Sequence, residues 1–445
     1  MKKFIAIAVC KLAAFVGRLL GKGSSMPGKL ALRICPDILS RLTLPERIVA
    51  VTGSNGKTST VEMLVRCLTE AGQRVVWNKE GSNQIEGVTT MFLRACSLSG
   101  RVKCDTAVLE SDEQYARHTF RYIRPTHFMI LNLCRDQLTR NGHPEYVLER
   151  IAAAVGGDMK LILNADDPLV CSLAKLTRGE VVYFGVAKGV INDGFEPMYD
   201  DGRVCPECDG EMSFSEHTYG PFGHWSCHNC ENKRPTPKYE LTSLDLESGR
   251  MEINSSAEIS SAIRTPFSVS NLLAAFAAAS ELGLDGATSA KALSGYALKS
   301  GRLRTWKNGD KNITFLTAKH ENSVSYDQSF AAAVKRGGDV LVIVDAVSRK
   351  YFTGETSWLY DINFSLLASE RIGRVYLAGA YVNDLAMRSE LAGIPKEKTV
   401  LLDSLDSMSR AFEESSELYV ITCFADRDKF LSRLPETAKE GQGVC

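Results

Sequence analysis

The string VTGSNGKTST, residues 51–60, places two glycines, a lysine and several hydroxyls in ten residues. In a Gly-rich loop between a strand and a helix, backbone N–H groups and the helix N-terminus wrap phosphate oxygens. The lysine reaches the outer phosphates and a hydroxyl holds Mg²⁺. Gly53, Ser54, Asn55, Gly56, Lys57, Thr58 and Ser59 are therefore the expected ATP-binding loop, with Lys57 also catalytic and Thr58 a magnesium ligand. The loop is two residues shorter than the usual pattern, since Val51 stands where a glycine is required. The bland alternative is a Gly-rich turn with an incidental lysine. The apolar run RIVAVTG before it and the helical period of STVEMLVRCLTEAG after it argue against that. A second run, DTAVLESDE, ends in Glu110, Asp112 and Glu113. Carboxylates at the C-terminal edge of a parallel sheet lie beside a bound nucleotide, and hard cations take their oxygens. Glu110 is the expected second magnesium ligand, whereas Asp112 and Glu113 fit a solvated acidic loop equally well.

Cysteine supplies the other chemical signal. Two C-x-x-C pairs, Cys205/Cys208 and Cys227/Cys230, flank residues 209–226, the spacing of a four-thiolate zinc ribbon. Four thiolates leave no open coordination position, so this zinc is expected to be structural, and His217, His224 and His228 are not needed as ligands. The chain has 13 cysteines, an odd number, and the other nine are scattered, which suits a reducing cytosol rather than a disulfide framework. Cys134 and Cys423 lack a Gly-rich elbow and read as buried structural thiols, leaving no glutaminase nucleophile.

Short apolar runs alternating with helical stretches must position these groups. RVVWN, DTAVLE, THFMILN and KLILN follow the loop as strands of a parallel sheet covered on both faces. Residues 200–240 interrupt the rhythm as a metal-dependent insertion too poor in aliphatics for its own core. SVSNLLAAFAAASELGL reads as a buried helix and GRLRTW (301–306) as a linker, and DVLVIVDAV, RVYLAGA and ELYVITCF begin a second pattern. The expected fold is α/β. A central P-loop domain (46–300) carries the zinc ribbon (200–240), a Rossmann-like α/β domain occupies 301–445, and 1–45 is an amphipathic lead-in.

Lys plus Arg equals Asp plus Glu at 53 each, so no charge bias points to nucleic acid. Lys11 and Arg18 break the N-terminal apolar run, which excludes a spanning helix. The segment reads as an amphipathic helix that docks on its own protein or grazes a membrane surface.

With these residues in view, the chain resembles the Mur ligase superfamily and, within it, the MurT family. The shortened loop, Asn271 in SNLLAA, Arg302 in GRLR, and the strings GSNQIEG, LNLCRDQLTR and LNADDP carry the resemblance along the whole chain. The four-cysteine insertion, Gln137 in place of a metal-binding histidine, and TGETSWLYDINF point to the MurT branch. The resemblance implies that Asn271 meets the nucleotide base and that Arg302 lies near the phosphates. It implies ATP-dependent amidation of the α-carboxyl of D-glutamate in the lipid II stem peptide through an acyl phosphate. A class I glutamine amidotransferase subunit of the GatD type would supply ammonia to a cytoplasmic enzyme that approaches the inner face of the membrane.

The resemblance also implies a carboxylate that completes a Cys-His-Asp triad in that partner. Here the position is Glu355, with Asp345 and Asp361 as fallbacks. AKHENS (318–323) departs from the family's Lys-Asn-Pro-type run. Two other readings remain open: an amino-acid-adding Mur-type or folylpolyglutamate-type ligase, and a degenerate nucleotide- and zinc-binding scaffold.

Overall fold

The computed structural model describes the chain apart from residues 20–24, 80–81, 192–196, 200, 297–302, 320, 347–353, 424 and 435–445. Two amphipathic helices lead in, α1 (Lys2–Leu19) and α2 (Met26–Ile34). The alternation from Arg47 onward then builds β1 (Arg47–Thr52), α3 (Lys57–Glu70), β2 (Val75–Trp77), α4 (Ile85–Ala95), β3 (Thr106–Glu110), β4 (His127–Ile130), β5 (Lys160–Asn164) and β6 (Val181–Val186). The strand interiors are apolar at successive positions because both faces of the sheet are covered. Ile48 and Ala50 face α1, α2 and α4, while Val49 and Val51 face α3 and the Ala-rich helix α5 (Pro266–Glu281).

Between β6 and its parallel neighbour β9 (Tyr239–Asp245) the chain leaves the sheet to form the hairpin β7 (Met212–Tyr219) and β8 (Phe222–Cys227). Two further strands, β10 (Arg250–Ile253) and β11 (Ala257–Ser260), add an antiparallel edge that the sequence reading did not include. The nine-stranded order is β11-β10-β9-β6-β5-β4-β1-β3-β2. Since β1 lies between β3 and β4, its C-terminal end is the switch point where such sheets bind ligands.

The second sheet has six strands in the order β12-β13-β17-β14-β15-β16. They are β12 (Leu303–Asn308), β13 (Lys311–Ala318), β14 (Gly338–Ile343), β15 (Ile372–Ala378), β16 (Thr399–Leu401) and β17 (Glu417–Cys423). All pairings are parallel except β12 with β13. The linker expected over 301–306 is thus corrected. From Leu303 the chain is strand, because Gly309 (φ 63°) closes a tight turn that returns it onto β13. Helix α6 (Ser323–Arg336) starts where Asn322 accepts a bond from the Ser325 N–H and stops at Gly337 (φ 82°).

The N-terminal helix docks on its own protein by one face. Ala6, Ile7 and Cys10 are fully buried against the layer formed with α2 and α4. Among the described residues, no helix is long and apolar enough to cross a membrane.

Candidate active site

The loop after β1 is held open by its two glycines. Gly53 has φ 138° and Gly56 has φ 87°, and a Cβ on Gly56 would stand 2.0 Å from Asn271 Oδ1. Gly56 is therefore required both by its backbone and by the close approach of α5. The segment after β4 fixes the loop from the side. Ser54 N–H donates to the Asn132 carbonyl at 2.9 Å, and Asn55 N–H to Asn132 Oδ1 at 2.8 Å. Ser54 Oγ in turn accepts from the Cys134 N–H at 3.1 Å.

Lys57, at the start of α3, is buried, and its ammonium donates to the Gly53 carbonyl and to Glu113. Burial alone would push this ammonium down. The Glu113 carboxylate, with Asp136 and Glu110 nearby, holds it above the usual lysine value. Thr58 is exposed, and its Oγ1 donates to Glu110 Oε2 at 2.9 Å. Burial raises the Glu110 carboxyl, with Lys57 and Thr58 opposing. Two hard oxygens beside one another at a sheet edge suit a magnesium ion. Ser59 is half-buried in the first turn of α3. Glu113 and Asp112 are both buried, at 2 % exposure, so the solvated-loop reading is wrong for both. Glu113 pairs with Lys57, and Asp112 accepts from Arg140 Nη2 at 2.5 Å.

The second sheet closes over this loop. Lys319 donates to the Ser54 carbonyl at 3.1 Å and to Asp136. Asn322 Nδ2 donates to Asp136 Oδ1 at 3.0 Å, and the Gln137 N–H to the Glu321 carbonyl at 2.8 Å. Lys319 and Asn322 come from the AKHENS run that read as a departure from the family pattern. A polar pair in an irregular stretch gave no periodic signal, and only the fold brings it to the loop. The cleft beside the loop is lined by Asn132, Tyr219, Phe222, Phe267, Asn271 and Gln328, among others. Both amide atoms of Gln328 are buried with no hydrogen-bond partner among the described residues.

Tyr219 and Phe222 are the tip of the inserted hairpin, and the Tyr219 hydroxyl donates to Ser270 Oγ on α5 at 3.1 Å. The body of the hairpin is tied to the LNADDP segment. Trp225 Nε1 donates to the Ala165 carbonyl at 2.9 Å, and Arg234 Nε to Asp166 Oδ1 at 2.8 Å. At its far end the sulfurs of Cys205, Cys208, Cys227 and Cys230 lie within 4.8 Å of one another. The Cys205–Cys230 and Cys208–Cys227 separations are 3.7 and 3.5 Å. A tetrahedron with zinc–sulfur bonds of ~2.3 Å has edges of about 3.8 Å, so the donor set fits zinc. The Glu207 and Asn229 N–H groups point at Cys205 and Cys227 sulfurs, as thiolates in tight knuckles require.

Residues 51–205 match the Mur ligase middle domain family, and residues 320–425 match the MurT ligase C-terminal family. The chain is 30% identical to "Lipid II isoglutaminyl synthase (glutamine-hydrolyzing) subunit MurT" of Streptococcus pneumoniae over 95% of each chain. It is 27% identical to the protein of the same description from Staphylococcus aureus (strain COL), over 99% of this chain and 100% of the relative. Its fold is shared with a pseudomurein peptide ligase type C from Methanothermus fervidus. That match has a TM-score of 0.67 and 20% identity and covers 91% of this chain and 81% of the other. The chain belongs to the MurT family.

Membership makes it an ATP-dependent ligase on the Mur fold. Of the positions singled out on MurT likeness, Glu355 is exposed, and its Oε1 accepts the Ser357 N–H at 2.8 Å, which holds the carboxyl below its ordinary value. Asp361 accepts from Arg135 Nη1 at 2.8 Å and Asp345 pairs with Lys429, so both fallback carboxylates already have cationic partners. Arg302 lies outside the described residues, as do residues 347–353 ahead of the MurT signature. Gln137 (φ 49°) turns the backbone toward Glu321 and opens the short helix Leu138–Asn141. Cys134 and Cys423 are buried, and burial pushes both thiols well up, as inert core sulfurs.

Proposed function

We propose that this chain uses ATP to amidate the α-carboxyl of D-glutamate in the lipid II stem peptide, giving D-isoglutamine. A GatD-type class I glutamine amidotransferase subunit would provide the ammonia. One observation carries the reading: Lys57, Thr58 and Glu110 converge at one sheet edge in a chain like MurT subunits along its whole length.

Bound ATP lays its phosphates on residues 53–59, and Lys57 exchanges Glu113 for phosphate oxygens. A substrate carboxylate oxygen attacks the γ-phosphorus, the bond to ADP breaks, and an acyl phosphate forms. Lys57 offsets the charge that develops on the transferred group. Thr58 and Glu110 would hold Mg²⁺, which neutralises charge on the phosphate oxygens. The ammonia lone pair then forms the C–N bond, phosphate leaves with the C–O bonding pair, and a proton passes to solvent. Asn271 and the aromatic residues of the cleft face the base, with Arg302 at the phosphates.

Zinc on Cys205, Cys208, Cys227 and Cys230 is structural. The domains divide as 1–45, 46–300 with its ribbon, and 301–445. Glu355 faces the amidotransferase, and the enzyme works on the cytoplasmic side against its lipid-linked substrate.

The test is co-expression with a candidate amidotransferase, then mass spectrometry of lipid II. Conversion of one stem carboxyl to carboxamide, lost in Lys57→Ala, is the expected result. A stem extended by an amino acid identifies the Mur-type rival. No ATP hydrolysis and no altered stem, with both subunits present, identifies a scaffold.

A further inference from the structure

The exposed side of α1 has no role in the site described above. Phe4, Ile5, Leu12, Phe15, Val16 and Leu19 recur at helical spacing, and Leu12, Phe15 and Leu19 are 65%, 60% and 71% exposed. At ~100° per residue they fall within about a third of the helix circumference, opposite Ala6, Ile7 and Cys10, which fix the helix to the protein. The stripe runs the length of the helix, from Phe4 to Leu19.

Charge says what covers it. Lys2 lies on one flank of the stripe and Lys11 and Arg18 on the other. The helix itself carries no acidic side chain, and the chain has no aspartate or glutamate before Asp37. Lys11 reaches the Arg94 carbonyl at the end of α4, which keeps its ammonium at the rim of the stripe. An apolar arc of aliphatic and phenyl groups with long basic side chains along both edges suits the boundary of an anionic bilayer. There the apolar groups enter the acyl region and the ammonium and guanidinium groups reach lipid phosphates. A second copy of the same face would set basic edges against basic edges.

We propose that α1 lies in the plane of an anionic membrane surface and seats the folded enzyme there through this stripe. The inference stands apart from the amidation reading, because its test contains neither nucleotide nor lipid-linked substrate, and its failure leaves that reading untouched.

The experiment is flotation of the full chain, alone and with its partner subunit, on vesicles of phosphatidylcholine with or without phosphatidylglycerol. Binding to the anionic vesicles, weakened by salt, is expected. Lys2→Glu with Arg18→Glu should weaken it by roughly tenfold or more, since each basic residue near such a surface is worth on the order of fivefold in partitioning. Leu12→Glu with Phe15→Glu should abolish it. Both pairs of positions are exposed, and an unchanged melting temperature and circular dichroism spectrum will show that the variants fold. Equal binding to neutral vesicles, equal binding by the variants, or no binding by the wild type overturns the proposal. A wild-type dimer that the Leu12→Glu, Phe15→Glu variant dissolves, without vesicle binding, overturns it in favour of a second copy.

Discussion

Lys57 and Glu113 form an ion pair at the foot of the phosphate loop, with side-chain exposures of 10% and 3%. A buried pair repays its desolvation only while both partners are present, and removal of one leaves an uncompensated charge. Lys57→Met should therefore destabilise the chain by about 3–5 kcal/mol in chemical denaturation. Adding Glu113→Gln should recover most of that loss. Neither variant should turn over ATP at more than a small fraction of the wild-type rate, a loss of about 10²-fold or more from the missing charge on the transferred phosphoryl group. A Lys57→Met enzyme with unimpaired turnover would remove the loop from the mechanism.

The four-cysteine cluster and the cleft beside the loop are opposite ends of one hairpin. β7 carries Met212 beside the sulfurs and Tyr219 in the cleft, and it pairs with β8 along its length. Cys205→Ser should abolish stoichiometric zinc, read by metal analysis, and lower the melting temperature, because structural zinc is folding energy. Loss of order at the tip should also raise the KM for ATP. A metal-free variant with unchanged KM would confine the ribbon to a local structural role.

The loop, the four cysteines and the parallel core were legible because each has a local signature. Glycine spacing, paired knuckles and apolar runs are written within a few neighbouring residues. Glu113 read equally well as solvated because its partner, Lys57, lies on another element and only the sheet register brings them together. Lys319 and Asn322 were missed for the same reason, since they act on a loop more than 260 residues away in sequence. The strand at 303–308 read as a linker because its glycine turn and its partner β13 both follow it.

Glu281 closes α5 and ties it to the sheet. Its side chain is 3% exposed, pairs with Lys160, and accepts from Lys238 at 2.7 Å and the Tyr239 hydroxyl at 2.6 Å. Burial alone would raise this carboxyl, yet the bonds from Lys160, Lys238 and Tyr239 hold it at about 2. A carboxyl depressed in the folded state binds its proton more weakly there than in the unfolded chain. Its stabilisation is thus complete at neutral pH and is lost as pH falls from about 4.5 through about 2. The melting-temperature difference between wild type and Glu281→Gln should be large at pH 7 and shrink across that window. A difference independent of pH would mean that the ion cluster adds nothing beyond packing.

The proposed role of Glu355 separates the two half-reactions of the proposed complex. Its carboxylate is exposed, one oxygen is held by the Ser357 N–H, and the following Ser357–Asp361 turn is anchored by the buried Trp358. A carboxylate so fixed on a surface can orient a histidine of a bound subunit, as the acidic member of a triad does. Such a role concerns ammonia release and leaves the ATP site alone. In the complex, Glu355→Ala should cut glutamine-dependent amidation by about 10²-fold or more while ammonium-dependent amidation stays near wild type, and Glu355→Asp should restore part of the glutamine reaction. Equal loss with both nitrogen sources would place Glu355 in the ligase step or in folding. Loss with neither would return the role to another carboxylate.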